Sequence, residues 1–155
     1  MFKKVVMTLT ILSTLTLSTI AFAAPATVGV NEQGTTSGLI VITNPESTEV
    51  SVSQKEYVIS GYGQEGTNVC LYLYSPSENL YRKVVINGRS IEWEIGASRL
   101  FMLPVTLDTG SNKLMVRAEK DVYTYEIIKL DITLLKEGFL DRIKGLTIDI
   151  WNMVK

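Results

Sequence analysis

The chain has 155 residues, with 15 basic and 16 acidic side chains, a net charge of −1, no histidine and one cysteine. This length is enough for one domain, and the absence of histidine excludes serine–histidine and cysteine–histidine nucleophiles and histidine-bound zinc. The single cysteine, Cys70, excludes an intrachain disulfide and a metal site built from several cysteines. The slightly acidic charge balance argues against nucleic acid as a partner, and no residue pattern indicates a cofactor.

Residues 1–23 have the organisation of a cleavable signal peptide. Lys3 and Lys4 begin it, residues 5–22 carry no charge, and small residues end it at Ala21-Phe22-Ala23. Cleavage before Ala24 removes two of the 15 basic residues, which leaves 13 against 16 acidic ones and a net charge of −3. A retained membrane anchor is the alternative. We expect the mature protein to be extracytoplasmic, either secreted or associated with the cell envelope.

Residues 24–38 are rich in Ala, Thr, Gly, Asn and Gln and show no hydrophobic period, which predicts a flexible leader. Residues 39–134 contain seven or eight short β-rich segments separated by turn signals every 8–12 residues or so, a pattern typical of an antiparallel β-sandwich. Asn87-Gly88 predicts a type I′ hairpin turn, and residues 108–112 predict a second tight turn. Residues 96–104 are interpreted as a bend or loop that contains apolar residues.

Residues 57–74 form the clearest hairpin pattern, because two β-rich segments flank a glycine-rich stretch. The second segment alternates two sets of side chains: Val69, Leu71 and Leu73 against Cys70, Tyr72 and Tyr74. We expect the aliphatic set in a core and the tyrosine set half exposed, with Tyr72 and Tyr74 as speculative ligand-binding residues. Aromatic pairs that only stabilise a sheet are the alternative. The turn is expected to contain the glycines of this stretch, Gly61, Gly63 and Gly66.

Ile91, Trp93 and Ile95 alternate with Glu92 and Glu94, so we expect the indole in the core and both carboxylates in solvent. Two carboxylates are also the catalytic pair of glycosidases, which keeps a small hydrolase as an unlikely alternative. Both carboxylates point the same way from one strand, so the sequence predicts no catalytic residue.

Four stretches together resemble the bacterial Ig-like (cadherin-like) β-sandwich domains of exported and cell-surface proteins. They are residues 58–61 (Val-Ile-Ser-Gly), residues 65–69 (Glu-Gly-Thr-Asn-Val), Trp93 and residues 105–118 (Val-Thr-Leu-Asp-Thr-Gly-Ser-Asn-Lys-Leu-Met-Val-Arg-Ala). The resemblance covers about residues 39–134 and implies an Ig-like antiparallel β-sandwich with a non-catalytic binding or structural role. Its residues are turn glycines and core aliphatics, so it implies no active site.

Residues 135–155 predict an amphipathic C-terminal helix. Its apolar stripe consists of Leu135, Phe139, Ile143, Leu146, Ile150, Met153 and Val154. The helix could dock on the sandwich, meet a partner or a second copy of the chain, or lie on a membrane surface. Phe139, Ile143, Leu146 and Ile150 are the speculative partner-binding residues of this stripe.

Three other patterns have ordinary structural explanations. Asp108, Asn112, Asp121 and Asp131 are oxygen donors, but they lack the dense spacing of a calcium loop, so no metal site is predicted. Residues 103–107 (Leu-Pro-Val-Thr-Leu) match only the first part of a sortase sorting signal. Residues 61–66 match a dinucleotide-binding motif in residue types but not in structural context. The partners that remain are an envelope protein, or a polysaccharide held by tyrosines in an accessory binding module.

Overall fold

The computed structural model of the protein describes residues 24–136 and Gly138. All regular elements in this part of the chain are strands, so the predicted all-β class is confirmed there. The signal peptide predicted over residues 1–23 and the helix predicted over residues 135–155 lie outside the described residues, except for Leu135, Lys136 and Gly138. Within the described range there is no helix long and apolar enough to cross a membrane.

The described residues form twelve strands. In chain order they are β1 (Thr27–Gly29), β2 (Ile40–Asn44), β3 (Glu49–Val52), β4 (Glu56–Gly63), β5 (Asn68–Ser75), β6 (Leu80–Lys83), β7 (Val85–Ile86), β8 (Arg89–Ser90), β9 (Glu92–Glu94), β10 (Leu100–Thr106), β11 (Gly110–Glu119) and β12 (Tyr125–Leu134). The large sheet has the order β1-β6-β5-β11-β12-β3, and β9 also pairs with β5. The small sheet has the order β10-β4-β2, and β7 pairs with β8. All pairs are antiparallel except β3 with β12, which is parallel.

One apolar core joins the inward faces of the two sheets. On β10, Phe101, Leu103 and Val105 are buried while the residues between them are exposed, as the two-residue period of a strand requires. The large sheet contributes Val69 and Leu71 from β5, together with aliphatic residues of β11 and β12, to the same cluster. Each fully buried aliphatic side chain contributes about 1.5–3 kcal/mol relative to an exposed one.

A second apolar cluster lies on the opposite face of the large sheet. Cys70, Tyr72 and Met115 are buried there beneath Ala24 and Val28, which belong to the stretch predicted to be a flexible leader. The structure differs from that expectation, because β1 pairs with β6 and Lys83 N donates a hydrogen bond to the carbonyl oxygen of Ala26. Residues 24–38 therefore form a strap across the outer face of the large sheet.

The hairpin turn predicted at Asn87-Gly88 is confirmed. The two residues have φ angles of 52° and 76°, and the turn joins β7 to β8. Gly66 also adopts a positive φ, 77°, in the turn after β4. Gly61 and Gly63, however, lie inside β4 and not in the turn. A Cβ atom on Gly61 would lie 2.0 Å from the carbonyl oxygen of Val41, so the close approach of β2 requires glycine.

Candidate functional site

Tyr72, predicted at the surface, is fully buried between the large sheet and the strap. Its hydroxyl group donates a hydrogen bond of 2.8 Å to the carbonyl oxygen of Pro25. Burial raises the pKa of this phenol, because the phenolate would lose its hydration. The ring stabilises the fold at this position and presents no surface to a ligand.

Tyr74 remains half-buried at the edge of the strap. Its ring centroid lies 5.5 Å from that of Tyr81, in a tilted arrangement, and its hydroxyl donates to Oδ1 of Asn79 at 2.9 Å. Lys113 Nζ lies 5.8 Å from the same ring, and the ring lines an open cavity of about 370 Å³. The structure thus separates the two predicted tyrosines and leaves only Tyr74 within reach of a ligand.

The carboxylates of Glu92 and Glu94 have different surroundings. Lys83 Nζ lies 2.9 Å from Oε1 of Glu92 and donates a second bond, 2.7 Å long, to the carbonyl oxygen of Ala24. Glu94 is exposed. The lysine forms an ion pair with Glu92 and joins Ala24, at the beginning of the strap, to the large sheet, which is a structural role.

Three of the four oxygen donors considered for calcium have side chains that form hydrogen bonds within the protein. Asn112 and Asp121 do so in turns, and Asp131 accepts from Ser111 Oγ at 2.7 Å between β11 and β12. The side chain of Asn112 accepts from Asp108 N at 2.8 Å and donates to the carbonyl oxygens of Asp108, Gly110 and Ile132, so it fixes the predicted turn at residues 108–112. Asp121 accepts from the backbone N–H groups of the following turn, which lowers the pKa of its carboxyl group. The described residues contain no group of three or more acidic or cysteine side chains that could hold a metal ion.

Trp93, expected in the core, is 38% exposed. Strand β9 has only three residues and pairs only with β5, so the indole is not enclosed from both sides. Its Nε1–H group donates a hydrogen bond of 3.1 Å to the carbonyl oxygen of Leu100. The ring therefore lies beside the start of β10, at the rim of the small sheet.

Five of the eleven large hydrophobic residues that are exposed in the described chain lie on the outer face of the small sheet. We call it the small-sheet face and define it by Val41, Val58, Tyr62, Leu100 and Met102. Their exposed fractions run from 42% for Val58 to 58% for Leu100. Register places Leu100 and Val41 on either side of Tyr62, and Pro104 opposite Val58. The row at the end of this face is polar, where Thr106 Oγ1 donates to Oε2 of Glu56 at 3.1 Å.

The small-sheet face was not predicted, because β10 carries apolar residues on both of its faces. Residues 100–105 are consecutive apolar residues, whereas we expected a loop up to residue 104. A continuous apolar run of this length is the signal of a strand with two apolar faces, and Pro104 is compatible with the edge position that β10 occupies. Leu103, Val105 and Leu107 of the sortase-like stretch are buried in the core.

An open cavity of about 480 Å³ adjoins the polar end of the small sheet. It is lined by Ser53, Lys55, Leu107, Asp108, Thr109, Leu134, Leu135 and Lys136. The chain leaves β12 here, because Leu135 N donates a hydrogen bond of 2.8 Å to the carbonyl oxygen of Val52. The cavity thus lies between the ends of the small-sheet strands and the exit of the C-terminal segment.

Comparison with known proteins gave no match among family models, among curated proteins or among solved structures.

Proposed function

We propose that this chain is an exported, non-catalytic Ig-like β-sandwich protein with a binding or structural role at the cell envelope. The signal-like residues 1–23, the turn and core pattern of residues 39–134 and the two facing sheets support this proposal. The small-sheet face is the surface through which the protein would contact an envelope protein.

The observation that carries the proposal is the clustering of exposed apolar side chains on one sheet face. Five of them, Val41, Val58, Tyr62, Leu100 and Met102, lie together on three adjacent strands, with Trp93 at the rim. Monomeric soluble proteins rarely expose large contiguous apolar patches, and those that do occur mark interaction sites. Tyrosine, tryptophan and methionine are also the residue types enriched in protein interfaces.

A site-specific photo-crosslinker tests this role in the cell envelope. We would place it at Met102, which is 51% exposed on the small-sheet face, and in a matched control at Tyr123, which is 85% exposed outside it. The proposal expects a defined envelope protein crosslinked from position 102 and not from position 123. Equal crosslinking from both positions, or none from position 102, would contradict it.

Export is tested separately by fractionation and N-terminal sequencing. The proposal expects the protein outside the cytoplasm, with a mature chain that begins at Ala24. A chain found only in the cytoplasm with residues 1–23 intact would refute the export part of the proposal.

A further inference from the structure

The described chain ends close to the polar end of the small sheet. Leu135 and Lys136 line the cavity that also contains Lys55 and Leu107, and these two residues adjoin the ends of β4 and β10. Gly138 has a φ of 81°, in the left-handed region that favours glycine. The described chain therefore ends between β3, the edge strand of the large sheet, and the ends of the small-sheet strands.

The segment from residue 139 to residue 155 matches the small-sheet face in length. As a helix, its 17 residues would extend about 25 Å at 1.5 Å per residue. Strand β10 has seven residues, which extend about 23 Å at 3.3 Å per residue. Three strands spaced about 4.8 Å apart give a width close to the ~10 Å diameter of one helix.

The chemistry of the two surfaces is also complementary. The small-sheet face is mostly apolar, with the polar Ser60 opposite Met102, and its charged residue, Glu56, lies in the polar row at one end. The segment has an apolar stripe that includes Phe139, Ile143, Leu146 and Ile150, with its charged residues off that stripe. A surface of this kind selects an apolar helix face and gives no electrostatic advantage to a charged ligand.

We propose that residues 139–155 form an amphipathic helix that docks its stripe on the small-sheet face of the same chain. The linkage through residues 135–138 keeps the segment at a high effective concentration near the face, so modest apolar contact is enough to hold it. This inference rests on the proposed function, since it concerns the same face. It adds a regulatory consequence: the segment competes with an envelope protein for the face, and the partner binds when the segment is displaced.

Photo-crosslinking of the purified full-length mature chain tests this docking. The crosslinker is again placed at Met102, with Tyr123 as the control position, and the products are mapped by mass spectrometry. We expect crosslinks from position 102 to residues 139–155 at the mass of a monomer, and none from position 123. Crosslinks that join two chains, or a monomer with no link to residues 139–155, would overturn the inference.

A pair of charge substitutions separates stripe contact from chance proximity. Ile150→Asp places a carboxylate in the stripe, whereas Asn152→Asp adds the same charge off it. We expect the Met102 crosslink to fall at least about fivefold in Ile150→Asp and to persist in Asn152→Asp. An equal effect of both substitutions would contradict docking through the stripe.

The same two experiments distinguish failure of this inference from failure of the proposed function. If the purified chain shows no link to residues 139–155 but envelope samples still link position 102 to another protein, the inference is wrong and the binding role survives. If envelope samples also give no such product, both are wrong. If the segment docks and Ile150→Asp increases crosslinking to an envelope protein, competition for the face is supported.

Discussion

The hydroxyl group of Tyr72 donates a hydrogen bond to the carbonyl oxygen of Pro25, 47 residues earlier in the chain, at 2.8 Å. This bond joins the centre of the large sheet to the strap formed by residues 24–38. The strap is held further by Lys129 Nζ, which donates to the carbonyl oxygen of Val30 at 2.6 Å. Directly after the strap, the carboxylate of Glu126 accepts from Leu39 N at 2.8 Å. Side chains of distant strands thus fix this N-terminal stretch.

Replacing Tyr72 by phenylalanine should destabilise the protein by about 1 kcal/mol. The ring and its apolar contacts remain, but the carbonyl oxygen of Pro25 loses its donor in a partly buried position. Urea unfolding followed by fluorescence measures the change. Tyr123→Phe is the matched control, since that side chain is 85% exposed, and its effect should stay within about 0.5 kcal/mol. Indistinguishable unfolding midpoints for the two variants would show that the bond does not hold the strap.

Arg117 is the buried charge beneath the strap, and we expect Arg117→Ala to cost about 3 kcal/mol. Its guanidinium donates to the carboxylates of Glu32 and Glu119 and lies 3.8 Å from the centroid of the Tyr125 ring. Burial by itself would lower the pKa of Arg117, but the hydrogen bonds to the two carboxylates outweigh it and raise that pKa. Removing the arginine leaves a largely buried Glu119 without its partner. A buried charge without a partner destabilises the folded state strongly.

Arg82→Ala is the control for this substitution. Arg82 pairs with Glu78 on the surface, where solvent screens the charges, so its loss should cost much less than the loss of Arg117. Thermal unfolding at low and at high salt compares the two variants. A cost for Arg117→Ala no larger than that for Arg82→Ala would mean that the Arg117 cluster adds nothing to the stability of the strap.

Gly61→Ala should destabilise the protein by at least about 3 kcal/mol, because the added Cβ atom would collide with a neighbouring strand. It would lie 2.0 Å from the carbonyl oxygen of Val41 and 3.0 Å from the ring of Phe101. Gly96→Ala is the control, since nothing lies within 4 Å of its added Cβ atom. Calorimetric melting temperatures give the comparison, and similar values for both variants would show that β2 can move away without cost.

Local patterns of the sequence identified those parts of the fold that depend on neighbouring residues. Asn87-Gly88 requires two consecutive positive φ angles, and the structure has them. The alternation on β5 correctly placed Val69 and Leu71 in the core between the sheets. The all-β class follows from repeated signals of this kind, each of which is visible within about ten residues.

Contacts between distant segments could not be predicted in the same way. Tyr72 lies on the face opposite the core, as alternation requires, but the strap covers that face, and nothing in the composition of residues 24–38 specifies its acceptor at Pro25. The small-sheet face could not be predicted from the sequence for a related reason. The apolar residues of β10 on both sides could equally have indicated a strand buried on both faces, and only the arrangement of the sheets exposes Leu100 and Met102.

Cys70 should make the stability of the protein depend on pH in the alkaline range. Burial raises the pKa of its thiol from 9.0 to about 12, because the thiolate would be poorly solvated between the large sheet and the strap. Between these two values the unfolded chain releases the thiol proton and the folded chain retains it. The contribution is therefore fully present below pH 9 and is lost as the pH rises towards about 12.

Urea unfolding at about pH 7.5 and about pH 10 measures this loss, and the Cys70 contribution to it should be about 1 kcal/mol. Cys70→Ala removes the titrating group, so its stability should fall by about 1 kcal/mol less than that of the wild type over the same interval, whatever the substitution costs at neutral pH. Tyr72 adds to the loss mainly above pH 10, because its pKa is raised from 10.0 in the folded chain. An equal fall in stability for both proteins would show that the Cys70 thiol already ionises in the folded state.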